Sequence, residues 1–161
     1  MYVDFKDLPA SSRVWVYQAE RALTDQETIL FKNKMRSFCE GWNTHGNMMP
    51  TSFELVDNQI IILAVDESRL STSGCSIDSS VRTLRELEGE LGLDLTNQGK
   101  VSYKKEDKIK VSPALGIKTK VLTGEISVDT KVINPMIKEK SELDQLWIPA
   151  KSTWVNKFFP N

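Results

Sequence analysis

Two periods of apolar residues run along the first hundred positions. The run RVWVYQ, residues 13 to 18, is β-branched and aromatic and reads as a strand. Both of its faces are apolar, because Val14 and Val16 project one way and Trp15 and Tyr17 the other. The period then changes: Phe31, Met35, Phe38 and Trp42 recur at helical spacings. Thr24 with Glu27 three residues later makes a capping box, so a helix is predicted over residues 25 to 42, ending near Gly41 and Gly46. TSFELV (51 to 56) and QIIILAV (59 to 65) read as a hairpin turning at Asp57 and Asn58, residues that tolerate the left-handed conformations of a tight turn. The second of these strands is apolar on both faces and belongs at the centre of a sheet. After a serine-rich link, Ile77, Val81, Leu84 and Leu91, with Leu87 on the flank, predict a second helix that Gly92 terminates. KVSYK at 100 to 104 is a fourth strand.

Strand, helix, strand, strand, helix, strand is the order of a ferredoxin-like split βαβ core, here over residues 1 to 105 of an α+β protein. Residues 106 to 161 are predicted to form a C-terminal α+β extension packed on that core. Its elements are a hairpin turning at Glu106 and Asp107, a helix in PALGIKTKVLTG, a short strand at TKVIN and a helical turn at 141 to 146. The extension closes with LWIPAKSTWVNKFF, which holds two of the four tryptophans. Trp15 and Tyr17 need a cover, because a contiguous exposed aromatic patch is unusual, and the extension or a second copy of the chain is the expected one.

A length of 161 residues, 40% of them hydrophobic, suits an ordinary globular protein with a real core. The net charge is −1 with both signs mixed along the chain, so no basic stripe points to nucleic acid. MYVDFKDLPASSR has no basic region followed by an apolar run, and the longest apolar stretch, IIILAV at 60 to 65, falls far short of the roughly 20 residues that span a bilayer. Two cysteines, Cys39 and Cys75, with one histidine, His45, make neither a disulfide framework nor a conventional zinc site. A reduced, cytoplasmic protein is expected, monomeric or homodimeric, with no cofactor.

The chemistry concentrates in SGCSIDSS, residues 73 to 80. In a split βαβ sheet the first helix ends at the edge where the second helix begins. The loops at 41 to 47 and 66 to 68 and the segment 73 to 80 then share one rim. Three chemistries are open there. Cys75 as nucleophile, His45 as base and Asp66 or Glu67 as orienting acid would serve acyl or thiol transfer. A small anionic ligand would be held by helix-start amides with Ser73, Gly74, Cys75, Ser76, Asp78 and Ser79, beside Trp42 and His45. Asp66, Glu67, Asp78 and His45 would offer oxygen and nitrogen to a divalent metal. Against all three, serines and aspartate at a helix start are ordinary capping residues, and Cys39, on the apolar side of the first helix, is core. The expected function is a non-catalytic binding or regulatory protein whose ligand or protein partner occupies this rim. A small enzyme built on Cys75 is the alternative.

The segments RVWVYQAERALTDQE, FCEGWNTHG, ILAVDES, SGCSIDSSV and WIPAKSTW resemble a small bacterial family of about this length often labelled "ABC transporter ATPase". That label implies a Walker motif. The chain contains no GxxxxGK[ST] run, so the resemblance implies kinship without ATP hydrolysis and carries over no catalytic residue. The stretch LTGEISVDTKVIN with LWIPA is also similar, through Gly124, Ile126, Thr130, Val132 and Trp147, to GYF-type modules, which implies a groove for proline-rich peptides.

Overall fold

The computed structural model describes residues 1–160, which fall into two compact units. The first comprises Met1–Thr96 together with Lys138–Ser141, and the second comprises Asn97–Ile137 and the chain from Glu142 onward.

In the first unit, β1 (Arg13–Gln18) leads to α1 (Asp25–Gly41), then to a two-pair hairpin of β2 (Asn43–Thr44) and β3 (Asn47–Met48). β4 (Thr51–Val56), β5 (Ile60–Val65) and α2 (Gly74–Leu91) follow. The capping box at Thr24 and Glu27 is present, and Gly92 ends α2 in the left-handed conformation, at φ 62°. The sheet has the order β1-β5-β4, antiparallel throughout, with Trp15 opposite Leu63 and Phe53 opposite Leu63 on the other side. β5 is the central strand, and every one of its side chains is buried. The turn between β4 and β5 holds three residues, because Val56 pairs with Ile60 and the Gln59 side chain is drawn to the Ala19 carbonyl.

One face of this sheet carries Trp15, Tyr17, Phe53, Leu55, Ile61, Leu63 and Val65. These residues pack on Phe31, Met35 and Cys39 of α1, on Trp42 just after it, and on Leu84 and Leu87 of α2. The two helices of the same unit therefore cover Trp15 and Tyr17, in place of the C-terminal extension or second copy expected to do so. The register decides this, since residues 13, 15 and 17 share the face of 61, 63 and 65. Cys39 is fully enclosed, and burial pushes its thiol up to about 12.

β1, α1, β4 and β5 make a split βαβ unit, but the sheet stops at three strands. The expected fourth strand forms as β6 (Lys100–Lys105) and pairs with β7 (Lys108–Pro113) and β8 (Lys131–Ile133), not with β1. Glu106 and Asp107, both at positive φ, close the two-residue turn between β6 and β7, so β6 meets its nearest neighbour in sequence first. Its other edge goes to β8, which leaves none for β1. The place beside β1 is filled by the segment 138–141. Glu139 bridges Arg13 in antiparallel fashion, the Val14 amide donates to the Lys138 carbonyl, and the Lys140 amide donates to the Ser12 carbonyl. The Lys140 ammonium donates to the carbonyls of Phe5 and Leu8, at 2.7 Å each, and pins this strap.

The second unit is a four-stranded sheet, β7-β6-β8-β9, with α3 (Ile117–Leu122) between β7 and β8 and with β9 at Trp147–Pro149. Val101, Tyr103, Ile117, Ile126, Val132 and Val155 are buried in it. The Tyr103 hydroxyl donates to Glu125, whose carboxyl is held below the usual range first by a hydrogen bond from Lys110. Of the GYF-like positions, Ile126 and Val132 are core, the Thr130 hydroxyl accepts from the Ser127 amide, Gly124 takes φ +81° and the Trp147 ring lies under Lys104.

Candidate functional site

The site grows from the end of α1. Trp42 is the first extended residue after the helix, and its ring is buried against Trp15 and Phe38, with centroids 5.8 and 5.3 Å away. The indole N–H donates to the Ser76 carbonyl at 2.7 Å and to Ser79 Oγ at 3.1 Å, which ties the end of α1 to the first turns of α2. Beyond Trp42 the β2–β3 hairpin turns at His45 and Gly46, both at positive φ, with the Gly46 amide donating to Asn43 Oδ1.

Ser73, Ser76 and Thr44 form a closed hydroxyl network beneath this hairpin, and the donors can be assigned by elimination. The Ser73 hydroxyl accepts from the Ser76 amide at 3.1 Å as the helix cap, and Thr44 Oγ1 accepts from the Ser73 amide at 3.2 Å. Ser76 Oγ donates to the Asn43 carbonyl at 2.5 Å, so it accepts from Ser73 Oγ at 2.8 Å and from Thr44 Oγ1 at 2.9 Å. The cap residue Ser73 shifts the start of α2 to Gly74, three residues before the first apolar position that marks the helix in the sequence. Cys75 consequently lies in the first turn, exposed.

A cavity of about 550 Å³ opens beside this network. Its lining includes Phe38, Gly41, Trp42, Asn43 and His45 from one side and Ser73, Cys75, Ser76, Ser79, Arg82, Thr83 and Glu86 from the other. The loop 41–47 and the start of α2 thus come together as the fold argument required. Residues 66–68 do not line the cavity. Asp66 accepts the Ser68 amide at 2.9 Å, and Glu67 accepts the Thr72 amide at 2.6 Å and faces Arg13 at 3.8 Å, so both carboxylates shape their own loop. Asp78 is exposed and also lies outside the lining. Among the described residues no three metal-ligating side chains converge, so Asp66, Glu67, Asp78 and His45 do not assemble the metal site that the sequence left open.

Comparisons with protein-family models, with curated proteins and with solved structures found no match. The chemistry of the cleft therefore rests on its own residues.

The hydroxyls of the wall all have their protons engaged, Ser73 and Ser76 within the network and Ser79 and Thr83 on helix carbonyls. What faces the cavity unengaged, among the described residues, is the Cys75 thiol, the His45 imidazole and the Arg82 guanidinium. The Gly74 and Cys75 amides, in the first turn of α2, are left without acceptors there. The carboxylate of the lining, Glu86, is paired with Lys34 at 3.1 Å, an ammonium it shares with Glu90 at 3.3 Å. Helix-start amides and the Arg82 guanidinium are both groups that stabilise negative charge in the cleft. Arg82, Thr83 and Glu86 were not among the residues the sequence singled out, and Phe38 was read there only as part of the apolar face of the first helix. The signal for two of them, Arg82 and Glu86, was the helical spacing of Cys75, Ser79, Arg82 and Glu86, a polar stripe on α2 beside its apolar one.

Proposed function

We propose that this is a binding or regulatory protein whose cleft, between the β2–β3 hairpin and α2, holds a small anionic ligand without turning it over. The observation that carries the reading is the mismatch between a saturated hydroxyl wall and the unpaired donors around the same cavity: Arg82, His45 and the first amides of α2. Arg82 lies seven residues beyond Cys75, so the two contact points stand about 10 Å apart along the helix axis, the reach of an extended anion. The proposal includes a cytoplasmic location, a monomer or homodimer, and kinship with the small bacterial family without ATP chemistry.

Amide NMR titration with inorganic phosphate, citrate and a nucleoside monophosphate tests it. Shifts for one of these probes should concentrate at residues 43–46, 74–76 and 82 and should vanish in Arg82→Ala. If all three probes leave those amides unmoved at millimolar concentration, the reading fails.

The enzyme reading keeps one specific support, the presence of Cys75 and His45 on the same cavity. It lacks the orienting acid, since Asp66 and Glu67 are engaged elsewhere. A Cys75 activated by His45 would alkylate as fast at mildly acidic pH as at mildly basic pH, and would slow in His45→Ala. A rate that His45→Ala leaves unchanged removes it.

A further inference from the structure

The second unit carries a different surface. The helical stretch 114–122 buries Ile117 and Val121, and α3 packs against the 3-10 helix Trp154–Phe158, whose Val155 is buried. On the outer side of that stretch, Leu115 is 99% exposed and Leu122 is 68% exposed. They are seven residues apart, which returns a helix to the same side. Trp154 is 38% exposed and stacks edge-on against Phe158, with the Lys157 ammonium 5.5 and 5.1 Å from the two rings.

Lys118, Lys120 and Lys157 have no ion pair among the described residues, and neither helical stretch contains a carboxylate. The whole unit has ten lysines against six acidic residues, a net charge of +4, whereas the first unit carries −5. The near-neutral total conceals this division.

Large apolar side chains set among unpaired cations call for a partner that is apolar beneath and anionic on top. A folded protein would have to present a shaped recess to each knob. A bilayer receives separate knobs in any arrangement, seats an indole at headgroup depth and lets lysine stems lie along the interface. We propose that the stretch 114–122, with Trp154–Phe158, docks this protein on an anionic phospholipid surface. Leu115 and Leu122 enter below the headgroups, and Lys118, Lys120 and Lys157 pair with lipid phosphates. This surface is independent of the cleft and of any ligand there.

Co-sedimentation of the full chain with vesicles of roughly one-third phosphatidylglycerol in phosphatidylcholine tests the proposal. The protein should sediment with these vesicles and not with pure phosphatidylcholine. The Leu115→Asp, Leu122→Asp double variant, with unchanged circular dichroism, should bind about tenfold more weakly or worse. Substituting Lys118 and Lys120 by Glu should also weaken binding. Absence of sedimentation overturns the proposal. So does binding that the leucine substitutions leave intact, since it would reduce the surface to a general polycation. Binding of a single-stranded oligonucleotide that survives those substitutions while vesicles are ignored assigns it to nucleic acid instead, and also refutes the proposal.

Discussion

Ser76→Ala is the sharpest perturbation of the cleft. Ser76 is buried, and its hydroxyl is the hub of the network: it donates to the Asn43 carbonyl and accepts from Ser73 and Thr44. Removing it leaves Ser73 able to keep the Ser76 amide and to turn its own proton outward, so α2 stays capped. The Thr44 hydroxyl, on a residue only 2% exposed, loses a partner with little access to water, whereas Asn43 is exposed and its carbonyl can turn to solvent. At about 1 to 2 kcal/mol for this one orphaned buried group, the variant should lose about 1 to 2 kcal/mol. Ser79→Ala is the internal comparison. Trp42 keeps its 2.7 Å bond to the Ser76 carbonyl, so that variant should lose only about 0.5 to 1 kcal/mol. Urea unfolding in a Trp147→Phe, Trp154→Phe background reads the first unit alone through Trp15 and Trp42. Hydrogen exchange at residues 44–48 should accelerate in Ser76→Ala, because a hairpin of two residue pairs does not hold itself together in water. If Ser76→Ala unfolds within about 0.5 kcal/mol of the parent and the hairpin amides stay protected, the hydroxyl network is not what docks the hairpin.

Three further outcomes are expected. Hydrogen bonding from Arg21, and then from the Thr24 amide, lowers Glu27 from 4.5 to about 2, so its contribution is present above about pH 4.5 and disappears as pH falls toward about 2. Urea midpoints across that range should decline less steeply in Glu27→Gln, and parallel curves would contradict the capping box's part in acid sensitivity. Gly92→Ala forces a side chain into the left-handed region at φ 62° and should cost about 1 kcal/mol in urea unfolding, although a Cβ there meets nothing within 4 Å. Cys39, with its thiol pushed up to about 12, has a thiolate fraction at pH 8 on the order of one in ten thousand. Intact mass after maleimide treatment should therefore show one label, on Cys75, and a second only in denaturant. A doubly labelled native protein would show that the α1 face opens.

The helices and the β4–β5 hairpin were readable because each has a local cause: the Thr24–Glu27 box, the four-three-four spacing of Phe31 to Trp42, and turn residues at Asp57 and Asn58. The partner of a strand is not local. Residues 100–104 read correctly as a strand, yet nothing in KVSYK states that both of its edges are taken by β7 and β8. Nor do the four residues that lie beside β1 carry a strand pattern of their own, for they are held by backbone bonds and one lysine. The convergence of 41–47 with 73–80 followed from the split βαβ connection alone, which the structure contains. Asp66 and Glu67 were misplaced for a different reason: a carboxylate two or five residues from a free amide satisfies it locally before it reaches a histidine.

The strap at 138–141 also sets an order of events. The Val14 amide finds its acceptor 124 residues later, on Lys138. On a chain emerging from the ribosome at roughly 5 to 20 residues per second, β1 therefore waits several seconds with an open edge, after β4, β5 and both long helices have emerged. Nascent chains halted just before Lys138 hold a first unit with one bare strand, the kind of edge that neighbouring copies pair with. The last step in completing the first unit is thus made by residues that arrive only after most of the second has been synthesised.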